Sequence, residues 1–280
     1  MRANLRHRSD LTGSEVWEGD ARQVAAVMAP GSCSLAILDG PYAMQKAAWD
    51  RLKVADLPEW YRPHLEDVDR VCGPSASLYF WNTAEGWAAV HPVILSMGWT
   101  FRALVVWVKE GAHPARIGAM SANRWPDVTE VAGHYARGQP YHQNAPGLVN
   151  VWPFDATNQM RASERLYQSD TVRRTGGHGR YYECRAPLHP CQKPLDFAER
   201  MIRASTRPGE SVWAPFGGTL REAVAAERIA RADPEEARRV ITAELNQDGV
   251  DYIGPALRQM QGLGTQRVDP RQGQLFGGER

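Results

Sequence analysis

No stretch of this 280-residue chain approaches the roughly 20 consecutive apolar residues of a membrane-spanning helix, so no membrane partner is expected. The first ten residues carry three arginines and no apolar run, and therefore lack the core of a signal peptide. Paired cysteines are missing as well. Cys33, Cys72, Cys184 and Cys191 include no CxxC, which speaks against a disulfide framework and for thiols kept reduced in a cytoplasm. Cys184, His189 and Cys191 do fall close together, with His178 nearby, but without the paired spacing of a zinc site, and His113, His134 and His142 are scattered. No metal is assigned. Charge of one sign is also absent: 33 Lys and Arg against 32 Asp and Glu leave a net charge of +1. No global field advertises a polyanionic partner, so any such partner must meet a local patch.

The chain does have the means to build a large core, with 43% hydrophobic and 23% charged residues. Short apolar runs alternate with longer amphipathic stretches, the pattern of a parallel sheet covered by helices. Strands are predicted over 34–39, 76–81, 104–108, 128–134, 211–215 and 239–244, and helices over 57–71, 84–96, 194–205, 219–231 and 248–260. This alternation implies a doubly wound α/β domain. From Gly111 to His189 the regularity fades. That stretch holds nine Arg, no Lys and six acids, a local balance of +3. Its end, Thr171 to Tyr182, mixes glycines and aromatics with Arg173, Arg174 and Arg180, the residue types that approach phosphates and bases closely. A solvated loop is the plainer reading of the same residues. After Gly262 the tail is rich in Gly, Gln and Arg, which predicts disorder.

Chemistry gathers at the ends of the apolar runs. In an open α/β sheet, ligands bind outside the carboxyl ends of the strands. Asp39-Gly40-Pro41-Tyr42 follows the run Leu35 to Leu38 and fixes a carboxylate, a backbone carbonyl and an aromatic ring within four residues. The carboxylate of Asp39 and the carbonyl of Gly40 could accept the two N–H bonds of an exocyclic amino group while Tyr42 stacks on a flat base. Alone, this tetrapeptide is also an ordinary turn. Two further motifs accompany it. His189-Pro-Cys-Gln-Lys-Pro194 precedes a helix, and Ser211 to Thr219 runs from a strand through Pro215-Phe-Gly-Gly218 toward another helix, a nucleotide-type cradle.

Taken in order, these residues resemble the beta-class DNA amino-methyltransferases, in which a DPPY-type motif precedes the cofactor motifs. Glu18-Gly-Asp20 is similar to the early segment near the cofactor's adenine, and Trp49-Asp50, Gly73-Pro74, Val106 to Lys109 and Val128-Thr-Glu130 fall where the family has similar stretches. His189 to Pro194 matches HPxQKP, Pro215 to Gly218 matches part of DPFxGxG, and Glu244-Leu-Asn246 matches the acidic strand end. The resemblance implies a class I methyltransferase (Rossmann-like) fold in permuted motif order, mostly parallel with one antiparallel strand. It implies S-adenosylmethionine as cofactor, held by Asp20, Asp39, Gln192, Lys193, Phe216, Gly218, Glu244 and Asn246. Catalysis would fall to Asp39, Gly40, Pro41 and Tyr42 on a base flipped from double-stranded DNA. Adenine is favoured over cytosine, because cytosine enzymes more often have Ser where Asp39 stands.

The implied organisation is a catalytic half over 14–110, a pocket-closing strand and target-recognition region over 111–188, a cofactor-binding half over 189–261 and a flexible tail over 262–280. The expected setting is the cytoplasm of a bacterium or phage-infected cell, and related enzymes often form homodimers. The tail's Gln272 to Phe276 resembles peptides that dock on sliding clamps through Leu275 and Phe276. Three positions depart from the family pattern: Gly40 stands where a proline is usual, Ala214 where an Asp is usual and Leu220 where a second Gly is usual. A side chain at a glycine position could crowd a cofactor pocket, and an inactive DNA-binding or scaffold subunit of the same fold is the alternative reading.

Overall fold

The computed structural model describes residues 2–45, 50–110, 128–143, 149–155, 173–177, 180–184, 189, 191–246 and 250–262. Its strands are β1 (Asn4–Arg8), β2 (Glu15–Glu18), β3 (Cys33–Leu38), β4 (Cys72–Asn82), β5 (Thr100–Glu110), β6 (Thr129–Arg137), β7 (Val151–Asp155), β8 (Arg173–Gly177), β9 (Arg180–Cys184), β10 (Ser211–Ala214) and β11 (Arg239–Glu244). The helices are α1 (Ala21–Val27), α2 (Leu57–Val71), α3 (Ala84–Ser96), α4 (Leu195–Ser205), α5 (Arg221–Ala232) and α6 (Ile253–Met260).

Nine strands form one sheet in the order β1-β2-β11-β10-β3-β4-β6-β5-β7, and β8 and β9 pair as a separate antiparallel ribbon. From β2 to β4 every pairing is parallel, whereas β6 runs antiparallel to both β4 and β5. The doubly wound, mostly parallel sheet follows the sequence reading. The edge strand β1 adds a second antiparallel partner beyond the one the resemblance implies.

Helices cover both faces, and β3 shows how. Successive side chains of a strand point to opposite sides. Leu35 and Ile37 pack with α4, α5 and α6, while Ala36 and Leu38 pack with α1, α2 and α3. A strand buried on both faces must be apolar throughout, which explains the uninterrupted Leu35-Ala-Ile-Leu38. The helices are set by their apolar spacing. In α2, Leu57, Tyr61, Leu65 and Val68 recur at three- and four-residue intervals on one buried face, and Pro58 sits in the first turn, where an N–H has no intrahelical partner. Thr83 caps α3 by accepting from the Gly86 N–H at 3.0 Å. Among the described residues, no helix is long and apolar enough to cross a membrane.

The functional consequence is one of alignment. Because β2, β11, β10 and β3 are parallel neighbours, Glu18, Glu244, Ala214 and Leu38 all end at the same edge of the sheet. The turns after β3 and β10 are therefore brought side by side, although 175 residues separate Asp39 from Ala214 by subtraction of their numbers.

Candidate active site

A cavity of about 390 Å³ opens at this edge, between the turn after β3, the loop after β10 and the first turn of α5. Asp39, Gly40, Pro41 and Tyr42 form one wall. Their turn is fixed from below. Asp50, buried, accepts the Ala43 N–H at 2.7 Å and the Met44 N–H at 2.9 Å, where the backbone at Ala43 turns left-handed (φ 59°). Tyr61 donates to the Pro41 carbonyl at 3.0 Å, and Asn82 donates to the same oxygen at 3.3 Å. With Pro41 occupied in this way, the carbonyl of Gly40 takes no hydrogen bond among the described residues.

Gly40 has a local reason. A Cβ there would lie 2.7 Å from the Tyr61 hydroxyl and 2.9 Å from the Phe216 ring, closer than carbon atoms tolerate. The proline of the family pattern is excluded by these two neighbours. Phe216 itself packs against Trp60, Tyr61 and His64 of α2, so the turn after β3 and the loop after β10 share one aromatic cluster. Burial pushes His64 down to about 4 and keeps its imidazole neutral at physiological pH.

A buried charge network stands behind Asp39. The Lys193 ammonium lies 2.9 Å from Asp39 Oδ1, 2.9 Å from the Tyr42 hydroxyl and 3.0 Å from Glu130 Oε2. Tyr42 donates to Asp39 Oδ1 at 2.8 Å, and Lys109 pairs with Glu130 Oε1 at 2.7 Å. Burial alone would raise the Glu130 carboxyl, but Lys193 and Lys109 outweigh it and hold the group down at about 2. Burial would likewise lower Lys193, and Asp39 and Glu130 reverse the sign and raise it. Burial, reinforced by Asp39 and Glu130, raises Tyr42, which keeps its proton. Both internal donors fall on Oδ1 of Asp39. Its Oδ2 accepts nothing among the described residues and remains available to a ligand.

The opposite wall is the loop after β10. The Gly217 N–H donates to the Ala243 carbonyl at 2.7 Å, and the Gly218 N–H to Glu244 Oε2 at 2.6 Å. A Cβ on Gly217 would stand 2.8 Å from Thr242 Oγ1, and Gly218 has a φ of +48°, so both glycines are required by packing or conformation. Leu220 takes the left-handed conformation expected of a glycine (φ 54°, ψ 37°). Its side chain is fully buried in the core and does not line the cavity. Ala214 is also buried away from it. Neither departure crowds the pocket. The remaining wall, with Phe216, Trp60 and His64 as flat apolar surface and Asp20 and Glu244 as acceptors, fits an adenosine-type group, with a ring to cover and hydroxyls to bond.

Asp20, Asp39 to Tyr42, Gln192, Lys193, Phe216, Gly218 and Glu244 thus meet at one cavity. Asp20 also caps α1 through the Arg22 N–H. Asn246 is set apart: its amide donates to Glu18 at 3.0 Å and accepts the Tyr252 N–H at 2.9 Å, bracing the ends of β2 and β11 without lining the cavity. The backbones of Arg173, Arg174 and Arg180 lie on the β8 and β9 ribbon, and their side chains are outside the described residues. His178, Trp49 and the tail from Gln272 to Phe276 also fall outside them. The Cys191 N–H donates to His189 Nδ1 at 3.2 Å, and the His189 ring packs on Tyr252. The sequence reading assigned no role to Lys109, Trp60, His64 or Glu222. Lys109, near the end of β5, and Glu130, near the start of the antiparallel β6, are neighbours at one edge of the sheet and could have been paired by that position, whereas the two α2 residues carry no sequence signal beyond an amphipathic face.

Known proteins share this architecture. The chain is 26% identical over 248 residues to the type II methyltransferase M1.MboII of Moraxella bovis, covering 82% of this chain and 91% of that protein. It is 24% identical over 251 residues to the type II methyltransferase M.BglII of Bacillus subtilis, where the match covers 78% of this chain and 63% of that longer protein. Among solved structures, the cytosine-N4-specific PvuII DNA methyltransferase superposes with a TM-score of 0.62 at 16% identity, over 92% of this chain and 97% of that one. The M1.HpyAVI–SAM complex superposes with a TM-score of 0.56 at 16% identity, over 87% and 98%. These superpositions speak to fold. The profile of the DNA methylase family, N6 and N4 methyltransferases, matches residues 33–254, most of the chain, and the chain belongs to that family.

Proposed function

We propose that this protein transfers a methyl group from S-adenosylmethionine to the exocyclic amino nitrogen of a base in double-stranded DNA, with adenine the favoured base. The observation that carries this reading is the division of labour at Asp39: Oδ1 is held by Tyr42 and Lys193, while Oδ2 and the neighbouring Gly40 carbonyl accept nothing among the described residues. Two acceptors on adjacent residues match the two N–H bonds of an amino group. By accepting both, they draw the nitrogen lone pair out of conjugation with the ring and favour the pyramidal geometry a nucleophile needs. Tyr42, clamped at its hydroxyl, offers its ring as a stacking surface. The cation of Lys193 holds Asp39 in place through Oδ1, and Glu130 and Lys109 hold that cation in register. Such fixed charges act through positioning and electrostatics.

When bound, the cofactor supplies an electrophilic methyl on a sulfonium sulfur. Phe216, Trp60 and His64 would cover its adenine, Glu244 and Asp20 would accept from the nucleoside, and Gln192 and Gly218 would complete the wall. In this reading Lys193 serves the catalytic turn, and Asn246 serves the cofactor site by holding two strand ends together. The arginines of the β8 and β9 ribbon would meet phosphates.

Incorporation of labelled methyl into DNA, by wild type and by Asp39→Ala, tests the proposal. Wild type is expected to label DNA, and the variant to fall by at least about a hundredfold, the cost of removing a preorganised acceptor. Equal incorporation by both would overturn the role of Asp39. Nucleoside analysis of the product separates N6-methyladenine, the expected product, from N4-methylcytosine, which would move the protein to the cytosine branch.

A further inference from the structure

One large apolar side chain stands in water beside the catalytic turn. Met44 follows Tyr42 by two residues and is 43% exposed. Its backbone is nevertheless held with unusual firmness. Asp50, buried at 2% exposure, commits both carboxylate oxygens to this one turn, Oδ1 to the Ala43 N–H at 2.7 Å and Oδ2 to the Met44 N–H at 2.9 Å. The residues on either side, Ala43 and Gln45, are both left-handed, with φ of 59° and 56°, although neither is a glycine or an asparagine. That conformation costs roughly 1–2 kcal/mol at each position.

Nothing in the core is gained by this arrangement, because the side chain it fixes is left in solvent. A turn that only reversed the chain would be better served by glycine or asparagine at the left-handed positions and a polar residue between them. Strain retained at such a place points to a use for the group it presents. The location says which use. Tyr42 and Asp50 both line the cavity, and Met44 does not. Met44 therefore lies outside the mouth and is tied through Asp50 to the cavity wall.

From this geometry we infer that Met44 is a wedge that enters the DNA base stack as the target base leaves it. The inference rests on the methyl-transfer reading above and deepens it, by naming the side chain that holds the duplex open around the extruded base. A base that moves out to Tyr42 leaves a gap between its flanking pairs, and the lost stacking and pairing cost a few kcal/mol. An unbranched, polarizable thioether fits such a gap, and inserted apolar side chains stabilise unstacked steps. Lacking charge, Met44 has no attraction for phosphates, so the interior of the duplex suits it better than the backbone. Its fixed mounting matters because wedge and stacking ring then belong to one turn: the step that opens the duplex also delivers the base to Tyr42.

Single-turnover methylation of two synthetic duplexes tests this. Both contain a site that wild type methylates in plasmid DNA; one is fully paired, and the other has an abasic position opposite the target base, so that extrusion is cheap. Met44→Ala should be slower than wild type by at least about tenfold on the paired duplex and stay within about threefold on the abasic one, because a wedge matters only where extrusion is costly. Met44→Gln, of similar length but polar, should behave like the alanine variant, and Met44→Leu should recover most of the rate. Calorimetric titration with S-adenosylhomocysteine should give all three variants the affinity of wild type, which reports an intact fold and cofactor site. Equal losses on the two duplexes, or an undiminished rate for Met44→Ala on the paired one, would overturn the wedge and leave the methyl-transfer reading standing. Failure of wild type to methylate any DNA would overturn both.

Discussion

At the scale of single residues, Gly40 decides how the motif after β3 is to be understood. The family resemblance makes proline the expected residue, and a consensus argument would predict that Gly40→Pro rigidifies the turn and improves the enzyme. The surroundings predict the opposite. A Cβ at this position meets the Tyr61 hydroxyl at 2.7 Å and the Phe216 ring at 2.9 Å. Tyr61 is fully buried and tied to the Pro41 carbonyl, and Phe216 is held by Trp60 and His64, so neither neighbour can withdraw cheaply. Overpacking of this kind costs about 1–3 kcal/mol. Gly40→Ala is therefore expected to lower the urea midpoint and to reduce methyl incorporation, Gly40→Pro more so. Adding Tyr61→Phe, which removes the hydroxyl, should recover part of the stability loss of Gly40→Ala. Additive losses in that double mutant would show that the Tyr61 hydroxyl is not the obstacle.

At the scale of elements, what could be read in advance depended on burial and length. Helices α2 and α3 fall where their apolar spacing predicts, over 57–71 and 84–96, and β3, β4, β10 and β11 fall within a few residues of their apolar runs. These elements carry their signal because one stripe or both faces must be apolar. The missed elements have no such requirement. β1 is the polar Asn-Leu-Arg-His-Arg at an open edge, β2 has four residues, α1 has seven, and β7 contains Pro153, tolerated only because it is an edge strand. The site divides in the same way. Asp39 and the loop after β10 were legible as strand ends with turn residues, whereas Glu222 is indistinguishable in sequence from any acidic first-turn residue. The start of α5 yields its own prediction. Leu220 holds a left-handed backbone at a cost of roughly 1–2 kcal/mol, yet its fully buried side chain contributes more, since losing a buried leucine costs about 2–5 kcal/mol. Leu220→Gly, the change toward the family pattern, should therefore destabilise the protein in urea unfolding by about 2 kcal/mol, the gap between the middles of those two ranges. A midpoint at or above wild type would mean that backbone strain outweighs the packing of that side chain.

At the scale of the whole molecule, both faces of the sheet and the cavity between its turns bury groups that titrate near neutrality, and their signs combine into a pH dependence. Burial pushes His64, His134 and His189 each down to about 4. The unfolded chain takes up these protons below about 6.5, its ordinary value, while the folded chain refuses them until about 4. Their contribution to stability is therefore complete above pH 6.5 and is lost as the pH falls toward 4. Glu222 works in the other direction: with its carboxyl raised to about 7, its contribution is complete below the ordinary carboxylate value and is lost as the pH rises to 7. The three histidines are opposed by Glu222 and by Glu244 and Asp67, whose carboxyls burial also raises. With each histidine displaced across the whole span from 6.5 to about 4, the net expectation is a falling urea midpoint between pH 7 and pH 5. His134 isolates the effect because it touches neither the cavity nor the charge network. It sits on β6, stacked on Tyr79 with centroids 4.6 Å apart at 8°, next to His142, and its Nε2 is buried without a partner among the described residues. His134→Phe keeps the stacking surface and removes the titration. That variant should match or exceed wild type at pH 5 by an amount of order 1–2 kcal/mol, and approach it at pH 7.5. Parallel pH profiles for variant and wild type would place the acid sensitivity elsewhere, in the cavity histidines His64 and His189, where bound S-adenosylhomocysteine would be expected to suppress it.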